Sequence, residues 1–221
     1  MILPTVDTET APHPTHSVIW LHGLGADGND FAPLVPELVS PAWPALRFVF
    51  PHAPVRPVTI NGGLPMRAWY DIAGVDLVSR QDESGMRDSI ANVDALIARE
   101  NERGVPTGHI LLAGFSQGGA IALSAGLRHA DRLGGIIALS TYLPLQDSLA
   151  GERSVANADT PIFWGHGTGD PIVPLTRGVA SRDLLQSLGY QVAWHTYPMP
   201  HSVCAEEVAD LRQWMGVRLN T

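Results

Sequence analysis

The five residues Gly114-Phe115-Ser116-Gln117-Gly118 constrain this chain more than any other stretch, because of what flanks them. Ahead lies His109-Ile110-Leu111-Leu112-Ala113, a short apolar run with the character of a buried strand, and behind, Gly118 to Leu127 is rich in Ala and Leu and reads as a helix. A strand that turns straight into a helix strains the residue at its apex and leaves the neighbours two positions away almost no room for a side chain. Gly114 and Gly118 meet that demand. The turn lifts the Ser116 hydroxyl above the sheet, at the positive end of the following helix, where developing negative charge is favoured. Ser116 is the expected nucleophile, and the Gln117 amide is expected to face the same place. The competing reading, a glycine-rich turn without chemistry, requires neither the strand nor the small-residue helix.

The rest of the chain supplies a scaffold for such a turn. Short apolar runs at Ser17 to Leu21, Arg47 to Phe50, His109 to Ala113, Gly135 to Leu139, Pro161 to Gly165 and Val192 to Tyr197 alternate with helical segments. That alternation predicts an α/β fold, a mostly parallel sheet with helices on both faces. The clearest helix spans about 82 to 103, where Met86, Ile90, Val93 and Ile97 form one apolar face; others are expected near 118–129, 175–188 and 204–217. Residues 1–16, with three prolines and no periodicity, read as an irregular arm, and 17–221 as a single domain. Pro51 to Asp76 breaks the rhythm with four prolines, Asn61-Gly62-Gly63 and Trp69-Tyr70; ordered loops of this length usually serve a site.

Composition removes several classes of function. A net charge of −8 without a basic cluster argues against nucleic acid and against an anionic membrane surface. The first residues do not resemble a secretion signal and no apolar stretch reaches the roughly 18 residues of a span, so stable membrane insertion is not expected and the cytoplasm is the simplest location. Cys204 is the only cysteine, which excludes an intrachain disulfide and a thiolate-rich metal site.

A serine hydroxyl needs a His to take its proton and a carboxylate to hold that His in the right tautomer, in the chain order Ser, acid, His on a scaffold of this kind. Asp170 follows a late strand, in His166-Gly167-Thr168-Gly169-Asp170, and is the expected acid; Asp147 and Asp159 precede that strand and read as solvated loop residues. His201, in the loop after Val192 to Tyr197, falls at the same edge of the sheet and is the expected base. His195 lies within its strand and reads as structural, and His166 as a brace for the acid loop. Near the start, Ile19-Trp20-Leu21 runs into His22-Gly23-Leu24-Gly25, a loop able to offer the Leu24 amide as a second oxyanion donor beside Gln117. His22 reads as a packing or hydrogen-bonding residue of that loop.

With these pieces placed, the chain resembles the phospholipase/carboxylesterase family of α/β-hydrolases, which includes bacterial carboxylesterases and acyl-protein thioesterases. The resemblance rests on Leu21-His22-Gly23-Leu24-Gly25-Ala26-Asp27-Gly28, Pro51-His52-Ala53-Pro54, Trp69-Tyr70-Asp71, Gly114 through Ala120, Leu139-Ser140-Thr141-Tyr142-Leu143-Pro144, and His166-Gly167 with Asp170 and Val173-Pro174. It implies an α/β-hydrolase fold without a large lid, no metal or organic cofactor, and Ser116, Asp170 and His201 acting with the Leu24 and Gln117 amides. It also implies that the 51–76 loop shapes an acyl groove, with Leu64, Met66 and Trp69 as its wall, although Trp69 could equally anchor the loop in the core. The stretch Val58-Thr59-Ile60-Asn61-Gly62-Gly63 is similar to the bacterial carboxylesterase branch, which favours small acyl esters as substrates of a monomer or homodimer. One departure is Pro200, where the family usually has Gly before its His; it fixes φ and removes an amide. The alternatives are acyl-protein thioesterase or lysophospholipase activity, a different enzyme on this fold such as a dienelactone-type hydrolase, peptidase or perhydrolase, and a catalytically silent ligand-binding protein.

Overall fold

The protein is described by a computed structural model over residues 2–74 and 81–219; Met1, residues 75–80, with the last two positions of the 51–76 stretch among them, Asn220 and Thr221 lie outside them. The chain runs β1 (Thr5–Glu9), β2 (His16–Leu21), α1 (Val35–Leu38), β3 (Leu46–Pro51), β4 (Val55–Val58), β5 (Leu64–Arg67) and α2 (Glu83–Glu102). It continues through β6 (Ile110–Phe115), α3 (Gln117–Arg128), β7 (Gly135–Leu139), α4 (Gln146–Glu152), β8 (Ile162–Gly167), α5 (Leu175–Ser187), β9 (Val192–Tyr197) and α6 (Ala205–Leu219).

Seven of these strands form one sheet in the order β1-β3-β2-β6-β7-β8-β9, all parallel except β1, which pairs antiparallel with β3. The central strands β2, β3, β6, β7 and β8 are apolar on both sides because both faces are covered. In β2, Val18 and Trp20 pack toward α1 and α6, while Ile19 and Leu21 pack toward α2 and α3; in β7 and β8, Ile136, Ile162 and Trp164 join Leu149 of α4 and Leu185 of α5. This is the α/β-hydrolase arrangement, with no large lid among the described residues. No described helix is long and apolar enough to cross a membrane.

Two sequence expectations fail here. The arm expected to be irregular contains β1, held at the sheet edge by charge: Arg47 Nε donates to Glu9 Oε1 at 2.8 Å and Arg103 Nη1 to Asp7 Oδ2 at 2.8 Å. Both arginines also reach Glu100 of α2, at 2.9 Å each, and Ser17 Oγ donates to it at 2.7 Å, so this fully buried carboxylate is saturated. The stretch from Pro51, read as a loop with neither a clean strand nor a clean helix, contains two strands. β4 and β5 pair as an antiparallel hairpin, with Gly62 and Gly63 in the left-handed region (φ 69° and 76°) that its tip requires.

Candidate active site

Ser116 stands between β6 and α3 with φ 53° and ψ −119°, a conformation that a non-glycine residue keeps only when its surroundings enforce it. Here they do. Ser116 N donates to Leu139 O at 2.9 Å, and Ser116 O accepts from Ala120 N at 3.1 Å and from Thr141 Oγ1 at 2.6 Å. A Cβ on Gly114 would strike the Gly118 backbone, and one on Gly118 would strike the carbonyls of Leu21 and His22. The two glycines let the elbow close and bring the loop after β2 against it.

Asp170 and His201 meet beside this elbow. Asp170 Oδ1 accepts from Ile172 N at 2.8 Å and Val173 N at 2.9 Å, which leaves Oδ2 for His201 Nδ1 at 2.7 Å. The His201 ring packs on Phe115, the neighbour of Ser116, with centroids 4.7 Å apart. No hydrogen bond joins Ser116 Oγ to His201 among the described residues; such contacts commonly tighten only when substrate is bound. His166, fully buried, donates from Nε2 to Val173 O at 2.9 Å and braces the turn that carries Asp170; burial lowers its pKa. Pro200 withdraws no bond the loop uses. Met199 N donates to Tyr197 O, Gly169 N to Met199 O and Ser202 N to Pro200 O, so residue 200 serves through its carbonyl.

The loop after β2 is fixed by His22. Its Nδ1 donates to Gly23 O at 2.7 Å and its Nε2 accepts from Ala53 N at 3.1 Å, a pattern that only the neutral ring provides; burial correspondingly lowers its pKa. Leu24, two residues on, lines a cavity of about 400 Å³ together with Ser116 and Gln117, and its amide makes no hydrogen bond among the described residues. The Gln117 amide is the first of α3, where helix geometry provides no acceptor.

The proposed groove wall is where the structure departs from the sequence reading. Trp69 has no exposure: its indole Nε1 donates to His22 O at 2.9 Å and its amide to Gln117 Oε1 at 2.8 Å, so it anchors the loop in the core. Leu64, on β5, is 63% exposed and turned away from the cavity lining. Met66, half-buried, meets Asn61 Nδ2 through its sulfur at 3.3 Å and is likewise not part of the lining. The lining of the cavity beside Ser116 includes instead Ile60, Tyr70, Ile72, Tyr142, Ile172 and Val173. Tyr70 and Tyr142 were visible in the sequence, each beside a motif residue, but nothing in a linear pattern says which aromatic of Trp69-Tyr70 turns inward. The other missed element is the Gln117 side chain, which holds Trp69 N and, from Nε2, Tyr70 O at 2.7 Å.

One more buried carboxyl lies near this edge. Glu207, in the first turn of α6, packs against Gly165 of β8 with neither oxygen hydrogen-bonded, and burial raises its pKa to about 8.

Known proteins resemble the whole of this arrangement. The phospholipase/carboxylesterase family model matches residues 4–218. Acyl-protein thioesterase 1 of Cryptococcus neoformans is 39% identical over 218 residues, covering 91% of each chain. The crystal structure of Arabidopsis thaliana SOBER1 superposes with a TM-score of 0.87 at 32% identity, covering 92% of this chain and 99% of that one. That of Zea mays acyl-protein thioesterase 2 gives 0.84 at 29% identity, covering 97% and 99%. With a serine at the strained elbow and a family match over nearly its full length, the chain belongs to the phospholipase/carboxylesterase family and is a serine hydrolase.

Proposed function

We propose that the chain is a carboxylesterase for small acyl esters, in which Ser116 attacks the acyl carbonyl, His201 is general base and then general acid, and Asp170 orients His201. The observation that carries this reading is the 2.7 Å Asp170–His201 bond beside the Ser116 elbow. With Asp170 Oδ2 accepting from Nδ1, the Nε2 of His201 is left free to take the serine proton. The tetrahedral oxyanion falls to the Leu24 and Gln117 amides, collapse releases the alcohol, and water activated through His201 hydrolyses the acyl-enzyme. The 400 Å³ cavity beside Ser116 receives the acyl group. The same reading places a monomer or homodimer in the cytoplasm, and the lone cysteine is compatible with that compartment.

A second reading is thioester hydrolysis, favoured by the names of relatives at 39% identity, which are acyl-protein thioesterases. The test is a chain-length series of nitrophenyl esters beside matching acyl thioesters, with fluorophosphonate labelling of the serine. The ester reading expects rates that peak at short esters with weak thioester cleavage; the reverse order supports the second. Ser116→Ala should abolish labelling and lower turnover by several orders of magnitude. Retained turnover in that variant overturns both readings.

A further inference from the structure

The cavity beside Ser116 is lined by Ile60, Ile72, Ile172 and Val173, and its polar side chains besides Ser116 are Asn61, Gln117, Tyr70 and Tyr142. Gln117 is occupied at both ends of its amide by Trp69 N and Tyr70 O, and Asn61 turns its Nδ2 to Met66. Tyr70 and Tyr142 are 1% and 3% exposed, and their hydroxyls meet at 2.9 Å. Two phenols carry two protons, and one O–H···O bond uses one of them. The second proton has no acceptor among the described residues. Burial keeps both protons in place: it pushes Tyr142 up to about 12 and Tyr70 well above its ordinary range.

The pair is also tied to the nucleophile. The Tyr70 carbonyl is held by the Gln117 side chain, and the residue before Tyr142, Thr141, donates its hydroxyl to Ser116 O. The backbone that carries each phenol is therefore tied to the elbow that carries the reacting serine, as a group that measures position along a substrate must be. A plain alkyl chain in this cavity leaves the spare proton unpaired or traps a water against it. An acyl chain with an acceptor oxygen at the matching depth satisfies it. Sites with a buried polar group discriminate strongly against ligands that leave it unpaired.

We infer that the Tyr70–Tyr142 pair is a hydrogen-bond-donating subsite, and that the acyl groups this enzyme prefers carry an oxo or hydroxyl oxygen within the chain. This deepens the esterase reading and rests on it.

The experiment uses the full chain and nitrophenyl esters of one acyl length, with an oxo group moved along the chain and the unsubstituted alkanoyl ester as the parent. Expected is one oxo position at which kcat/KM exceeds the parent by tenfold or more, mainly through KM. In the Tyr70→Phe/Tyr142→Phe double variant that ratio should fall to about one, whatever its absolute rate. A ratio near one at every oxo position in the wild-type protein overturns the inference without needing any variant to fold, and so does a gain that survives in the folded double variant. Cleavage of the parent ester with a flat oxo series would leave the esterase reading standing and the subsite wrong. Failure to cleave any ester would defeat the esterase reading itself, and the subsite with it.

Discussion

The two ends of the sheet treat buried charge in opposite ways. At the end where β2 begins, Glu100 has no exposure and is met by Ser17, Arg47 and Arg103, and the same arginines carry Glu9 and Asp7 of β1. At the end where β6 and β8 finish, the polar groups keep something in reserve. Among the described residues, Asp170 Oδ2 holds a histidine whose other nitrogen is free, the Leu24 and Gln117 amides have no acceptor, one tyrosine proton is spare, and the Glu207 carboxyl has no hydrogen-bond partner. A saturated network fixes a structure, because every group in it resists removal of its neighbour. Unspent hydrogen-bonding capacity is costly in a folded core and is retained where a ligand or a transition state will use it.

The comparison breaks most visibly at Asp170. Asp170→Asn should lower kcat by about 10⁴-fold, as loss of the orienting carboxylate does in triad enzymes, while the melting temperature changes little. Steady-state kinetics beside a thermal melt would show it, and a large melting shift with modest kinetic loss would place Asp170 in the structural class instead.

Glu100→Ala should behave in the opposite way. It leaves Arg47 with Glu9 alone and Ser17 without its buried acceptor, and should cost about 3–5 kcal/mol in denaturant unfolding, with kcat per folded molecule unchanged. A changed kcat would mean that the two ends of the sheet are coupled.

Glu207 offers a finer test through pH. Its folded pKa, about 8, lies above the 4.5 of an ordinary glutamate, so the folded state keeps a proton that the unfolded chain releases. The contribution is whole below pH 4.5, declines on the order of 1 kcal/mol per pH unit as pH rises toward 8, and is lost above it. Glu207→Gln removes the titration, so the stability of the variant relative to wild type should climb from pH 5 to pH 8. A flat difference across that range would show that the carboxyl has found a partner. The smallest effect is expected at the surface: Arg87→Ala, which loses 2.8–2.9 Å pairs with Glu83 and Glu152, should cost under about 1 kcal/mol.

What was legible in the sequence divides along similar physical lines. The central parallel strands are continuous apolar runs because both of their faces are buried, so β2, β3, β6, β7 and β8 all stand out, while the edge strand β9 is only partly buried and shows as a shorter apolar start. The elbow is legible because backbone crowding excludes all but glycine at two positions. Asp170 and His201 follow from loop position and chain order, and their meeting in space is what the geometry adds. β1 was hidden because it is polar and joins the sheet through Asp7 and Glu9, whose arginine partners lie far along the chain. The β4–β5 hairpin was hidden although Asn61-Gly62-Gly63 is a turn signal, because its flanking strands contain Pro57 and Pro65 and do not alternate. The groove wall failed for another reason. Both members of Trp69-Tyr70 are aromatic, and only the hydrogen bond from the Trp69 indole to His22 O decides that the tryptophan faces the core and leaves the tyrosine for the cavity.

The double grip of Gln117 has a consequence for how this enzyme can change. One residue supplies a backbone amide next to the nucleophile and, through its side chain, the clamp on Trp69 and Tyr70. A mutation that loosens the clamp in order to enlarge the cavity also disturbs the elbow, so that route to new substrates is closed to single steps. The side chains of Ile60 and Ile172, 42% and 62% exposed, clamp no other segment, and since the Ile172 amide that serves Asp170 is backbone, both side chains are open to drift. Divergence of substrate range in this scaffold should therefore accumulate at the mouth of the cavity and leave its floor unchanged.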